Sequence, residues 1–350
     1  MHPGGIVVIE CLPDDLRAVL RPEGVPDWRA AMLATLTDKR FSDPRWIFEL
    51  KFDGERCLAF RDGPRTRLLS RNRQPLNATY PELADALGAQ CTSRFVVDGE
   101  VVAFQGRRTS FERLQGRLGI IDAWQARRSK IPVFYCLFDL LHLDGYDTTG
   151  LPLIWRKRLL EDAIQFKDPL RYTPHRWTDG VAAYREACSR GDEGVIAKRA
   201  DSRYQEGRRS PDWLKFKCVL DQEFVIGGYT APKGHRVGLG ALLIGYYEGS
   251  DLVYAGKVGT GFDTATLHNL HERLCAIEQD EPPFNRGLGV ARVGAGHLPG
   301  SVHWVQPKLV AQVGFSEWTR DGKLRHPRYT GLRADKEPGA VVRERPGKIV

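Results

Sequence analysis

The sequence predicts an α+β chain of two domains. A larger one, with antiparallel sheets and flanking helices, covers residues 1–220; a small β-barrel covers 221–336, and 337–350 form a flexible tail. Three observations predict it. At 350 residues the chain is long enough for two cores. Up to Cys218, apolar strand-like runs alternate with helical stretches. Beyond Cys218 come short strands between glycine-rich turns, with a single helix.

Composition sets outer bounds. Hydrophobic residues make up 42% and charged residues 27%, as in ordinary globular proteins. No apolar run approaches membrane-spanning length, and no basic segment precedes an apolar one at the N-terminus. A cytoplasmic monomer is expected. Seven scattered cysteines without a C-x-x-C pair read as reduced thiols. Of nine histidines none forms H-E-x-x-H; His268 and His271 share a helical face without a third ligand and read as surface residues. A net charge of +8 and a pI of about 9.1 favour an anionic partner, nucleic acid first.

Residues 1 to about 40 mix turn formers with a helical stretch near Trp28–Leu36. Trp46–Phe60 and Thr66–Ser70 read as strand, turn, strand, and a helix follows Pro81. Phe95–Phe104 reads as two β-branched runs broken at Asp98-Gly99. Thr109–Leu118 looks helical, and Pro132–Leu143 suits a buried central strand. Helices are expected at Pro152–Ala163 and Asp179–Arg190, the second between an Asp cap and a Gly191 stop. Glu193–Lys198 and Trp213–Cys218 are short strands around an arginine-rich exposed loop, 199–210. Later strands fall at 223–229, 241–248, 252–258, 302–304 and 309–318, with a helix at 263–277 and a flexible glycine-rich loop at 284–301. Five strands and one helix suggest a barrel of the OB type.

One stretch organises the rest: Glu49-Leu50-Lys51-Phe52-Asp53-Gly54-Glu55-Arg56. Lys51 sits between apolar neighbours and before a turn. Such a lysine suits a nucleophile, because partial burial and nearby cations raise its neutral fraction. A strand-end lysine in an Asp-Gly hairpin reads equally well from these residues alone.

Four further stretches follow: Ser70-Arg71-Asn72, Asp98-Gly99-Glu100, Glu193-Gly194-Val195-Ile196-Ala197-Lys198 and Trp213-Leu214-Lys215-Phe216-Lys217, with Phe138 in its apolar strand between the second and third. Lys215 and Lys217 share one face of a strand. Glu100 and Glu193 sit on apolar strands, where a carboxylate needs a metal or a lysine beside it. One lysine nucleophile, two carboxylates, two lysines and an arginine describe a site for a nucleoside triphosphate and its metal. No G-x-x-x-x-G-K-[ST] loop is present, which disfavours a P-loop enzyme.

In these residues the chain resembles the covalent nucleotidyltransferases: ATP-dependent DNA ligases, RNA ligases and mRNA capping enzymes. Their K-x-D-G-x-R signature is matched by Lys51, Asp53, Gly54 and Arg56, and the other stretches fall in the family's order. A last motif, R-x-D-K, stands at Arg333-Ala334-Asp335-Lys336. The texture of 213–217, 256–262 and 318–327 is most similar to bacterial DNA ligases of the ligase D and ligase C type. The glycine run at 256–261 reads as a structural or DNA-facing turn rather than a phosphate loop.

The resemblance implies an adenylation domain followed by an OB domain, ATP as co-substrate, and Mg2+ or Mn2+ held by Glu100 and Glu193. It implies AMP transfer to Lys51, adenine stacked on Phe138, the ribose near Arg56 and Glu100, and the α-phosphate on Lys215 and Lys217. Glu49, Arg71 and Lys198 complete the nucleotide set, and Arg71 is also a candidate contact for the nick phosphate. Asp53, Gly54 and Asp98 have structural roles. Arg333, Asp335 and Lys336 belong to a motif that swings over the site about a hinge near Lys217–Asp221. Nicked duplex DNA is the implied substrate, repair by end joining the implied setting, and a bacterial Ku-type protein a plausible partner. The chain reads as a minimal ligase or a module of a longer protein; Met1 and the tail fit the first. An RNA ligase, a capping guanylyltransferase and a non-catalytic DNA-binding protein on the same scaffold are the alternatives, though every expected site position is filled.

Overall fold

The computed structural model describes residues 9–232, 237–287 and 302–345. The expected loop at 284–301 lies outside the described residues from 288 onward, as do 346–350 of the expected tail. The chain forms two compact units, one running to Cys218 and one covering Val219–Glu344.

The strands used below are β1 (Leu33–Leu36), β2 (Trp46–Lys51), β3 (Glu55–Asp62), β4 (Arg65–Ser70), β5 (Arg94–Val102), β6 (Phe134–Leu143), β7 (His175–Trp177), β8 (Gly194–Arg199) and β9 (Arg209–Lys217) in the first unit. The second unit contributes β10 (Leu220–Thr230), β11 (Leu242–Glu248), β12 (Asp251–Val258), β13 (Val302–Phe315) and β14 (Arg328–Leu332). The helices are α1 (Pro81–Gly88), α2 (Leu153–Ala163), α3 (Gly180–Arg190) and α4 (Thr264–Cys275).

Two sheets make the first unit. One runs β6, β5, β3, β4, extended past β6 by short strands. Its outer face packs Ala59, Val97, Tyr135 and Leu137 against Leu83 and Leu87 of α1 and Leu159 and Leu160 of α2. Its inner face presents Leu58, Phe60, Val96 and Phe138, which meet Met32, Tyr204 and Trp213 of the other sheet's side. The other sheet runs β7, β2, β8, β9, β1. Along β2 the alternation is clean: Trp46 and Phe48 enter a core with Ala183 and Ala187 of α3 and with Val195, Leu214 and Phe216, and Leu50 packs on it. The residues between them, Ile47, Glu49 and Lys51, therefore turn to the opposite face.

Several local expectations are corrected. Trp28–Leu36 is not helical: it ends in β1, which pairs parallel to β9. Met32 donates its N–H to Tyr204 Oη, and Arg29 is tied to Glu23, Asp147 and Glu206, so tertiary partners override local propensity. β5 continues through Asp98-Gly99 instead of breaking there, with a shift of register against β6 at that step. Gly99 marks a close approach, because a Cβ there would lie 2.6 Å from Cys136 O. The helix expected at Thr109–Leu118 shrinks to Phe111–Leu114, capped by Ser110. The segment 199–210 is not an exposed loop throughout: Ala200, Ser202 and Tyr204 are buried in it.

The main sheet of the second unit is antiparallel, in the order β12, β11, β10, β13, with β14 also pairing to β13. The strands expected separately at 302–304 and 309–318 are continuous in β13 as far as Phe315, with Glu317–Trp318 a short strand of its own. Its core joins Phe224, Ile226, Leu243, Val258 and Val310 to Leu267, Leu270 and Leu274 of α4.

Two further readings are overturned. The tail is docked as far as Glu344: Tyr247 N–H donates to Val341 O at 2.7 Å, Glu344 N–H donates to Gln222 Oε1 at 2.9 Å, and Val341 is buried. One buried valine and a strand-like bridge hold a segment whose composition reads as mobile. The cysteines are not all free thiols. Cys188 at the end of α3 and Cys218 after β9 form a disulfide, with Cα atoms 5.2 Å apart. Thirty residues separate them in sequence, and only the packing of α3 behind the sheet brings them together.

Candidate active site

Strand register assembles the site. Gly194 of β8 stands opposite Lys51 of β2 on one side and Lys217 of β9 on the other. Two residues along, Ile196 stands between Glu49 and Lys215, and two further, Lys198 stands between Ile47 and Trp213. The period of two puts Glu49, Lys51, Lys198, Lys215 and Lys217 on one face. Glu193, one residue before β8, closes the row by an ion pair to Lys51 Nζ. Four lysines against two carboxylates make this face a receptor for an anion.

The motif turn is locked from below. Gly54 is packed so closely that a Cβ would lie 2.3 Å from Val101 O and 2.9 Å from Glu100 Cγ, which places the Glu100 side chain over the turn. Asp53 accepts from Phe111 N–H at 3.0 Å, and its own N–H donates to Thr109 Oγ1 at 3.0 Å. Asp53 thus joins the Lys51 turn to the short helix after β5.

The inner face of the first sheet supplies the aromatic side. Phe138 and Trp213 meet edge to face at 6.2 Å. The Arg56 guanidinium lies 4.5 Å from the Phe138 ring centre, and Lys198 Nζ lies 4.2 Å from the centres of both rings. Arg56 is fixed by a two-pronged pair to Asp98 at 2.5 and 2.6 Å. Burial works against the Arg56 charge, but Asp98 more than offsets it and raises the pKa. Asp98 also accepts from Tyr204 Oη at 2.7 Å. Tyr204 has no signal in the sequence, because its segment reads as a polar loop.

Glu49 is buried and gripped by two lysines: Lys157 Nζ lies 2.6 Å from Oε1 and Lys198 Nζ 2.5 Å from Oε2. Burial alone raises a carboxyl pKa, but the two ammonium groups hold Glu49 below the usual range. For Lys198, burial outweighs Glu49 and lowers the pKa. Lys157 is not legible in the sequence: it falls in the helix expected at Pro152–Ala163 and outside every motif. Proton linkage makes the Glu49 pairs sensitive to pH. An unfolded glutamate protonates near pH 4.3, so these pairs contribute stability above about pH 5 that is lost as pH falls through the depressed folded value. The stability gap between wild type and Glu49→Gln, read by urea unfolding, is expected to narrow between about pH 6 and about pH 3.5. A constant gap rules out ionic pairing of Glu49.

Not every expected residue lies on this face. Arg71 is half-buried in the loop after β4, where Ser70 Oγ accepts from the N–H groups of Asn72 and Gln74. Arg333, Asp335 and Lys336 belong to the second unit. There Arg333 makes two 2.8 Å hydrogen bonds to Asp335, and Lys336 pairs with Glu223 at 3.0 Å. Burial opposes the Asp335 charge, but Arg333 holds its pKa below the usual carboxylate range.

Comparison with known proteins decides between the superfamily's branches. Residues 31–217 match the ATP dependent DNA ligase domain, and 235–336 match the ATP dependent DNA ligase C terminal region. This chain belongs to the ATP-dependent DNA ligase family. It is 39% identical to the multifunctional non-homologous end joining protein LigD of Pseudomonas aeruginosa, over 92% of this chain and 37% of that protein. It is 40% identical to the LigD non-homologous end joining DNA repair protein of Mycobacterium tuberculosis, over 90% and 40%. The chain therefore spans about two-fifths of the length of these relatives. Among solved structures it is similar to a mycobacterial DNA ligase D complexed with ATP and MES, with a TM-score of 0.63, 38% identity, and coverage of 90% of this chain and 98% of that one. The expected architecture, a ligase adenylation domain followed by an OB domain, is the one observed. Among the described residues no helix is long and apolar enough to cross a membrane.

Proposed function

We propose that this ligase chain seals nicks bearing 3′-hydroxyl and 5′-phosphate ends in duplex DNA, through an AMP bound covalently to Lys51. The observation that carries the proposal is the row Glu193, Lys51, Gly194, Lys217: a lysine held by a carboxylate, with one strand between it and a second lysine. Lys51 Nζ attacks the α-phosphorus of ATP; a P–N bond forms and the P–O bond to pyrophosphate breaks. The carboxylate already at that nitrogen, Glu193, is placed to receive its proton. Lys215 and Lys217 oppose the charge that builds on the α-phosphate. Adenine lies against Phe138, with Glu49 and Lys198 at its polar edge and Arg56 at the ribose. Arg333, Asp335 and Lys336 act on the pyrophosphate when the second unit turns about a hinge near Lys217–Asp221. AMP then passes to the 5′-phosphate, near Arg71, and the 3′-hydroxyl displaces it.

The donor set fits a metal that arrives with the nucleotide. Among the described residues no cluster of three or more His, Cys, Asp or Glu side chains could hold an ion. One or two carboxylates beside a triphosphate is the donor set Mg2+ takes, the rest being phosphate oxygens and water. Glu193 and Glu100 would hold it, and its contribution would be to offset phosphate charge.

Incubation with α-labelled ATP and Mg2+ tests the reading. Acid-labile label on the protein, chased onto nicked DNA in preference to nicked RNA, supports it; label from GTP alone points to a capping enzyme, and DNA binding without label or sealing to a binding module. The end-joining names of the relatives support a role in break repair, with a Ku-type protein as partner. With a net charge of +8, most DNA affinity comes from phosphate contacts. Affinity for nicked duplex is expected to fall by about tenfold or more from about 50 to about 200 mM salt. A flat salt profile in a filter-binding titration counts against this.

A further inference from the structure

Among the buried charges of the first unit that have no place in the steps above, Lys157 is the one that pairs with Glu49. Lys157 comes from α2, belongs to none of the sequence motifs, and is fully buried. Its ammonium holds Glu49 Oε1 and donates to Thr173 O at 3.0 Å, and it lies 4.7 Å from the Tyr172 ring centre. Lysine is costly to bury. A purely structural role here could be filled by an apolar side chain of similar length, such as methionine.

The geometry around Glu49 points to a more specific role. Lys157 and Lys198 take different oxygens of one carboxylate. Two anchors fix the carboxylate plane; one leaves it free to rotate about its last bond. With that plane fixed, Lys198 is held 4.2 Å from the Phe138 and Trp213 ring centres. Asp139, the other carboxylate whose charge Lys198 feels, makes two contacts of its own to Arg156, at 2.7 and 3.0 Å. His175, opposite Glu49 on β7, is kept toward its neutral form by burial and by Lys157. Two cations and one anion thus form a cluster with a net positive charge.

We propose that Lys157 is a positioning residue for the nucleotide: it locks Glu49, and through Glu49 aims Lys198 at the base beside Phe138. The proposal rests on the reading of this face as the ATP site. Lys157 acts through Glu49 and touches no substrate. Its loss therefore weakens binding and base selection more than the chemical step.

A second observation supplies an independent test. A cavity of about 290 Å3 lies against Lys157, lined also by Ile154, Trp155, Arg158, Tyr172 and His175. Truncating Lys157 to alanine joins the vacated space to this cavity, which gives a small alkylammonium ion a route to Glu49.

The experiment measures steady-state sealing at saturating nicked DNA, which releases one AMP per turnover, for the full chain, Lys157→Met, Lys157→Arg and Lys157→Ala. Folding of each is checked by thermal denaturation. Wild-type label from ATP establishes the underlying reading; without it that reading fails and Lys157 is not the cause. Given label, Lys157→Met is expected to raise KM for ATP about tenfold with kcat within about threefold. The preference for ATP over GTP is expected to fall by a similar factor, and Lys157→Arg to retain most of both. Added ethylammonium is expected to restore the KM of Lys157→Ala while leaving wild type unchanged. Unchanged KM and base preference in folded Lys157→Met overturns the proposal. So does a loss in kcat alone, or one that tracks only the folded fraction and that neither arginine nor ethylammonium repairs.

Discussion

Lys51→Ala is expected to lose self-adenylation by on the order of 10^4-fold or more, because it removes the atom that forms the bond to phosphorus. Neighbouring lysines do not substitute. Lys217 is a full strand further across the sheet, with Gly194 between, and Lys215 is two residues back along β9. Only Lys51 makes the ion pair to Glu193 among the pairs described. Lys51→Arg separates charge from nucleophilicity. It keeps a cation beside Glu193, yet a guanidinium does not give up its proton at neutral pH. It too is expected to take no label from α-labelled ATP. Substantial labelling of Lys51→Ala, mapped to another lysine by peptide sequencing, would overturn the assignment.

Gly194→Ala has the largest expected effect on the scaffold. Gly194 has φ of +147°, and a Cβ there would sit 2.0 Å from Phe216 O and 3.1 Å from Lys217 Cα. Both obstacles are backbone atoms of β9, so no rotamer change relieves the clash. Either β8 separates from β9 or the chain moves out of its conformation. The combined strain and lost pairing are expected to cost about 3 kcal/mol of stability. The same separation moves Lys217 away from Lys51, so adenylation is expected to fall more than stability alone explains. A urea midpoint within error of wild type would show that the close approach of β8 to β9 is not needed.

Part of this site is legible in the amino-acid sequence. The alternation of Trp46, Phe48 and Leu50 with Glu49 and Lys51, and of Leu214 and Phe216 with Lys215 and Lys217, assigns each side chain to a face, because strand geometry has a period of two. The order of the motifs then points to the family. Read as local pattern, Asp98-Gly99 suggests a break; in the fold it is one continuous strand, because Gly99 lets the Cys136 carbonyl and the Tyr135 ring approach. From composition the 199–210 segment reads as an exposed loop and the C-terminal residues as a mobile tail. Single buried side chains, Tyr204 and Val341, decide otherwise, and composition averages over them.

Local chemistry in the chain thus encodes the two-domain α+β plan, the nucleophile in its apolar strand, and the lysines sharing its face. Which distant residues meet is settled only in three dimensions. Folding puts Lys157 of α2 on Glu49, pairs Cys188 with Cys218, and sets Tyr204 on Asp98. Those contacts join segments brought together by sheet register and helix packing. A linear pattern read one window at a time carries no signal for them.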